Sequence, residues 1–124
     1  MPDVAAAVSF YERAFGLKRR MATPAFAQLE TGTVALAFGA ESNERAELPL
    51  GFAFHESRPG SPAAGVQVSF ASDDVQAAFD RAVAADCAPV VAPKRQPWGQ
   101  VVSRVRDLNG VLVSIVSRFQ PPPT

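Results

Sequence analysis

Few side chains in this sequence are equipped to make or break bonds. His55 is the only histidine and Cys87 the only cysteine. His55 stands beside Glu56 in a stretch rich in Glu, Pro, Gly and Ser, and no serine–histidine–acid set can be built around it. A surface or packing role is the simpler reading. Nothing near Cys87 would lower its pKa, so it reads as a structural thiol, not a nucleophile. Asp73-Asp74 reads as helix capping, and Lys18-Arg19-Arg20 as a solvated strand edge. What remains is the chemistry of recognition. Arg104 can pair with an anionic or carbonyl group. Gln28 and Gln67 can orient a ligand by hydrogen bonds, and Phe26, Phe38 and Trp98 can stack against a flat or apolar one. Trp98, between Pro97 and Gly99, could line such a pocket or only cover its edge.

These residues are positioned by a repeat. Asp3-Val4-Ala5-Ala6-Ala7 matches Asp74-Val75-Gln76-Ala77-Ala78 at four of five positions. Each copy opens a helix with an Asp that accepts free backbone N–H groups. Val4, Ala7, Val8, Tyr11 and Phe15 keep helical spacing before Gly16; Val75, Ala78, Phe79, Ala82 and Val83 do the same. Downstream, Glu30-Thr31-Gly32-Thr33 and Asp107-Leu108-Asn109-Gly110 read as hairpin turns. They join Phe26–Glu30 to Thr33–Phe38 and Gln100–Arg106 to Val111–Ser117. Gly65–Ala71 is a strand leading into the second helix. Lys18–Thr23 and Ala88–Val91 read as weaker strands after the two helices. The expected class is α+β, with two βαβββ modules forming a curved mixed sheet around a concave cleft. Module one (1–39) lacks its opening strand, which would end where the chain begins. A connecting arm (40–64), with Phe52 and Phe54 as anchors, leads to module two (65–118). Residues 119–124, rich in proline, read as a disordered tail.

Strand alternation assigns the faces. Val66, Val68 and Phe70 oppose Gln67, Ser69 and Ala71; Val111, Val113 and Ile115 oppose Leu112, Ser114 and Val116. If Gly110 is a bulge residue after a type I turn, Arg104 lies opposite Ser114 on the concave side. The same pairing carried to module one puts Phe26 opposite Leu36. The expected concave face is then Phe26, Gln28, Leu36, Phe38, Gln67, Ser69, Arg104 and Ser114, with Trp98 at its edge.

Composition bounds the partners. Hydrophobic residues make up 48% of the 124, enough for a core without staples. Formal net charge is zero, which argues against a nucleic-acid surface. No apolar run is long enough to cross a bilayer, no signal peptide opens the chain, and a lone cysteine suits a reducing compartment. The expectation is a cytoplasmic protein without nucleic-acid or membrane partners, paired as a homodimer because an exposed sheet edge favours association.

The paired modules, the Phe10-Tyr11 of the first helix, and Pro97-Trp98-Gly99 followed by Arg106-Asp107-Leu108-Asn109-Gly110 resemble the vicinal oxygen chelate superfamily. That group includes glyoxalase I, bleomycin-resistance proteins and extradiol dioxygenases; a proline usually stands in place of Leu108. The resemblance implies a metal ligand on each of four strands. One position falls upstream of Met1, and the others map to Leu36, Gln67 and Ser114. Leu36 has no donor atom and a serine hydroxyl is a poor ligand. No metal, cofactor or catalytic residue is therefore expected. The resemblance favours a metal-free small-molecule binder of the bleomycin-resistance kind, sequestering a drug or metabolite. The alternative is a metal-dependent glyoxalase-type lyase or isomerase with atypical ligands.

Overall fold

The computed structural model describes residues 1–32 and 35–118. They fall into two compact units, Met1–Ser57 and a second that begins at Arg58.

The first unit contains helix α1 (Val4–Phe15), strands β1 (Lys18–Ala22), β2 (Phe26–Glu30) and β3 (Ala35–Gly39), and a short helix α2 (Glu41–Glu47). Asp3 caps α1, its carboxylate accepting from the Ala6 N–H at 3.1 Å; such a cap contributes about 1 kcal/mol. Val4, Ala7, Val8, Tyr11 and Ala14 are buried at helical spacing. The strands form an antiparallel sheet in the order β1-β2-β3. The Phe38 ring stands 4.8 Å from that of Tyr11, so this side of the sheet packs on α1.

The second unit contains β4 (Gln67–Ala71), α3 (Val75–Ala84), β5 (Ala88–Arg95), β6 (Val101–Arg106) and β7 (Leu112–Val116). Its sheet runs β4-β7-β6-β5, with β4 parallel to β7 and the other pairs antiparallel. A parallel pair needs a long crossover, supplied by everything from α3 to β6. Asp74 caps α3 as Asp3 caps α1, accepting from the Ala77 N–H at 3.0 Å. Ser103, Val105, Val113 and Ile115 are buried between sheet and helix. The Ser103 hydroxyl donates to the Ile115 carbonyl at 2.8 Å, so the one polar member of this layer is satisfied.

The mixed α+β reading and the repeat are both present, and the repeat extends to backbone pairing. Met1 N donates to the Gly39 carbonyl at 3.0 Å in the first unit, as Ser72 N donates to the Val116 carbonyl at 2.8 Å in the second. Among the described residues β3 pairs with β2 alone, whereas β7 has β4 on one side and β6 on the other.

Three features differ from the sequence reading. The stretch 40–64 is not all connection: it holds α2, and the division between units falls inside it, after Ser57. The α2 sequence has no apolar stripe to announce a helix. Phe54 anchors this stretch under the Arg45 guanidinium at 4.9 Å, whereas Phe52 is exposed. Finally, β5 continues to Arg95, well past Val91, despite Pro89 and Pro93. It is an edge strand with irregular register between Pro89 and Lys94, where a missing N–H is tolerated. Thr33, Val34 and residues 119–124 lie outside the described residues. No described helix is long and apolar enough to cross a membrane.

Candidate functional site

The turn after β6 sets the register of the second sheet. Asp107 accepts at one carboxylate oxygen from the N–H groups of Asn109 at 2.8 Å and Val111 at 2.9 Å. Gly110 adopts φ +82° and donates to the Asp107 carbonyl at 3.0 Å. An L side chain at that φ would be strained, which is why glycine closes the turn. The result pairs Arg104 with Ser114.

On the side of the sheet turned away from α3, the registers align residues in rows across four strands. Ser69, Ser114, Arg104 and Val91 form the middle row. Gln67, Leu112, Arg106 and Ala88 form a second, and Ala71, Val116, Val102 and Lys94 a third. Successive rows are about 7 Å apart, two residues along a strand. Gln67, Ser69, Arg104 and Ser114 thus share one face. Gln67 and Ser69 are exposed, Arg104 is half-buried, and Ser114 is buried at 2%.

The two arginines of this face differ in their partners. Arg106 donates to four carbonyls: Gly110 at 2.9 Å, Arg58 at 3.3 Å, Pro59 at 3.3 Å and Ser61 at 2.6 Å. It fastens the segment Arg58–Ser61 to the turn after β6. Arg104 has no hydrogen-bond or ion-pair partner among the described residues. Arg106 was not singled out in the sequence because it opens the turn motif and reads as part of it.

In the first unit the register departs from expectation. Phe26 pairs with Gly39, not Leu36; Gln28 pairs with Ala37, and Leu29 with Leu36. The offset is three residues, an odd number, so it reverses the face. Leu36 and Phe38 turn toward α1 with Leu29 and Ala27, and leave the side that carries Phe26 and Gln28. Measured from Gly32 and Gly110, β2 ends two residues nearer its glycine than β6 does and β3 begins one residue farther than β7 does, which together make the three. The strand position matching Ser114 is therefore Ala37.

Trp98 is elsewhere in the second unit. It lies between β5 and β6, donates from its indole N–H to Gln100 at 2.9 Å, and is 56% exposed. With Ser72, Asp73, Arg95, Ser117 and Arg118 it lines a cavity of about 440 Å³ that includes none of Gln67, Ser69, Arg104 or Ser114. An ion pair of Arg118 with Asp73 at 3.2 Å crosses this cavity's lining. His55 is exposed. Cys87 is buried, and burial pushes its thiol from 9.0 up to about 12, with Asp107 and Asp86 adding to the rise. A thiol so protonated does not serve as a nucleophile at neutral pH.

The residues do not fit a resident metal. Of the three implied ligand positions that lie within the chain, Ala37 has no donor atom, and Ser114 and Gln67 offer a neutral hydroxyl and a neutral amide. Among the described residues no group of three or more His, Cys, Asp or Glu is placed to hold a metal ion. Hard and borderline divalent cations are held by carboxylates, imidazoles or thiolates, and neutral oxygens alone bind them weakly.

Comparison with known proteins agrees with the fold. Residues 1–115 match the Glyoxalase/Bleomycin resistance protein/Dioxygenase superfamily. No curated protein matches the chain. Among solved structures, a glyoxalase-related enzyme from Fulvimarina pelagi superposes with a TM-score of 0.74 at 24% identity, over 95% of this chain and 82% of that one. A protein of unknown function from Agrobacterium tumefaciens gives a TM-score of 0.74 at 26% identity, over 95% and 87% of the two chains. A glyoxalase/bleomycin resistance protein/dioxygenase family enzyme from Burkholderia phytofirmans gives 0.71 at 20% identity, over 94% and 91%.

Proposed function

The chain belongs to the Glyoxalase/Bleomycin resistance protein/Dioxygenase superfamily, and within it we propose that this protein is a small-molecule binder that works without a metal. The observation that carries the reading is Arg104, half-buried in the middle row of the second sheet, beside Ser114, with no partner among the described residues. Withdrawing a guanidinium partly from water is costly unless something compensates it, and a bound ligand can supply that compensation. Gln67 and Ser69 offer orienting hydrogen bonds from the neighbouring strand, while Val91, Val102 and Leu112 give the face its apolar part. In the first unit, Leu36 and Phe38 lie on the α1 side of the sheet, opposite to Phe26 and Gln28. The family supports binding as much as catalysis, because this fold hosts many chemistries.

The competing reading is a lyase or isomerase that uses a metal held by unusual ligands, and elemental analysis separates the two. The protein as purified is expected to carry no stoichiometric divalent metal, and chelator is expected to leave its melting temperature unchanged. A stoichiometric metal that disappears in Gln67→Ala would establish the metal-dependent reading instead.

A further inference from the structure

We infer that the ligand of this face is an organic anion whose charged group seats on Arg104. The inference rests on the small-molecule reading above and specifies the chemistry of that site. Every charged side chain in the three rows is a cation: Arg104 in the middle row, with Arg106 and Lys94 in the rows on either side. Among the described residues of the second unit, no carboxylate shares the face. The second unit has no glutamate from Arg58 onward, and each of its aspartates is placed elsewhere. Asp73 pairs with Arg118, Asp74 caps α3, Asp80 accepts from Gln76 on α3, Asp86 follows that helix, and Asp107 holds the turn.

The two central cations have separate tasks. Arg106 gives four of its five N–H donors to carbonyl acceptors, which fix Arg58–Ser61 at the Gln67 end of the face. Its charge is not cancelled, because carbonyls are neutral, so it still contributes positive potential. All but one of its donors, however, are in use. Arg104 keeps its forked donors available, and a carboxylate matches that fork with two parallel hydrogen bonds. A neutral carbonyl would use part of the fork and leave the charge of the face uncompensated. The apolar neighbours Val91, Val102 and Leu112 would take the body of the molecule. A small carboxylate with an apolar or aromatic body is the class that fits.

Benzoate and its neutral counterpart benzamide provide the probes, followed by amide NMR on the full chain, together with a set of neutral fragments. Benzoate is expected to shift the amides of Ser69, Arg104 and Ser114 saturably, and benzamide is not. Arg104→Gln should weaken benzoate at least about tenfold. Arg104→Lys should retain part of the affinity, and Arg81→Gln on α3, which removes the same charge away from the face, should bind as the parent does. The dispersed spectrum of each variant shows that it is folded. Equal binding of benzoate and benzamide, or unchanged benzoate affinity in Arg104→Gln, would overturn the inference. A face that answers neutral fragments but not benzoate ends the anion proposal and leaves the small-molecule reading standing. A face silent to every compound ends both.

Discussion

Cys87 follows α3 with its backbone N–H donating to the Ala82 carbonyl at 3.0 Å, and its thiol sits in the core. Because burial raises the folded-state pKa to about 12 from 9.0, the native protein holds a proton that the unfolded chain has lost in between. The sign follows: this contribution to stability is whole below pH 9.0 and declines as pH rises toward about 12. Denaturation midpoints measured at increasing pH should therefore fall over this range, and Cys87→Ala should flatten that part of the decline. In the native protein at neutral pH the thiol should resist a thiol-reactive dye that labels it fully in denaturant. Gly110 is a second position where one atom decides. A Cβ there would stand 2.4 Å from the Arg58 carbonyl oxygen, at a φ of +82°. Gly110→Ala should cost about 1–3 kcal/mol in urea denaturation; a neutral outcome would show that Arg58 moves aside freely.

At the scale of elements, the turn after β6 was legible because Asp107 and Gly110 have distinct physical roles in it. The aspartate binds two N–H groups and the glycine supplies the positive φ, so the register of β6 on β7 followed from sequence, Arg104 opposite Ser114 included. The matching turn in the first unit shares its glycine but not its register, so the glycine alone is a misleading guide there. The strand ends stand differently about the two glycines, and the odd offset of three moved Leu36 and Phe38 to the α1 side. A signal for the true register was present: Ala27 and Leu29 are apolar and alternate, and they demand apolar partners on the same face, which Phe38 and Leu36 supply. Nothing comparable marked Arg106, whose acceptors lie up to 48 residues away on Arg58, Pro59 and Ser61. Arg106→Ala should remove these bonds, lowering stability by about 1–3 kcal/mol. Hydrogen exchange should report it as faster exchange confined to the segment near Arg58–Ser61. Unchanged exchange there would mean that the segment is held by other contacts.

At the scale of the whole molecule, the fold was legible because the repeat states it twice, and the family match over residues 1–115 agrees. The ligand was not legible, because the recognition we propose depends on which side chains share rows across four strands, and one register error changes that membership. Among the described residues no strand but β2 pairs with β3, and we propose association with a second copy at its other edge, since free strand edges are templates for pairing. Sedimentation at micromolar concentration should show a dimer; a monomer would contradict this expectation. Ligand binding at the second sheet is the property on which the proposed function turns. A fragment screen read by amide NMR on the parent and on Arg104→Gln tests it in one measurement. The predicted result is a set of hits whose shifts centre on Ser69, Arg104 and Ser114 and are lost or reduced in the variant. Hits confined to other surfaces, or hits on this face that Arg104→Gln leaves intact, would contradict it.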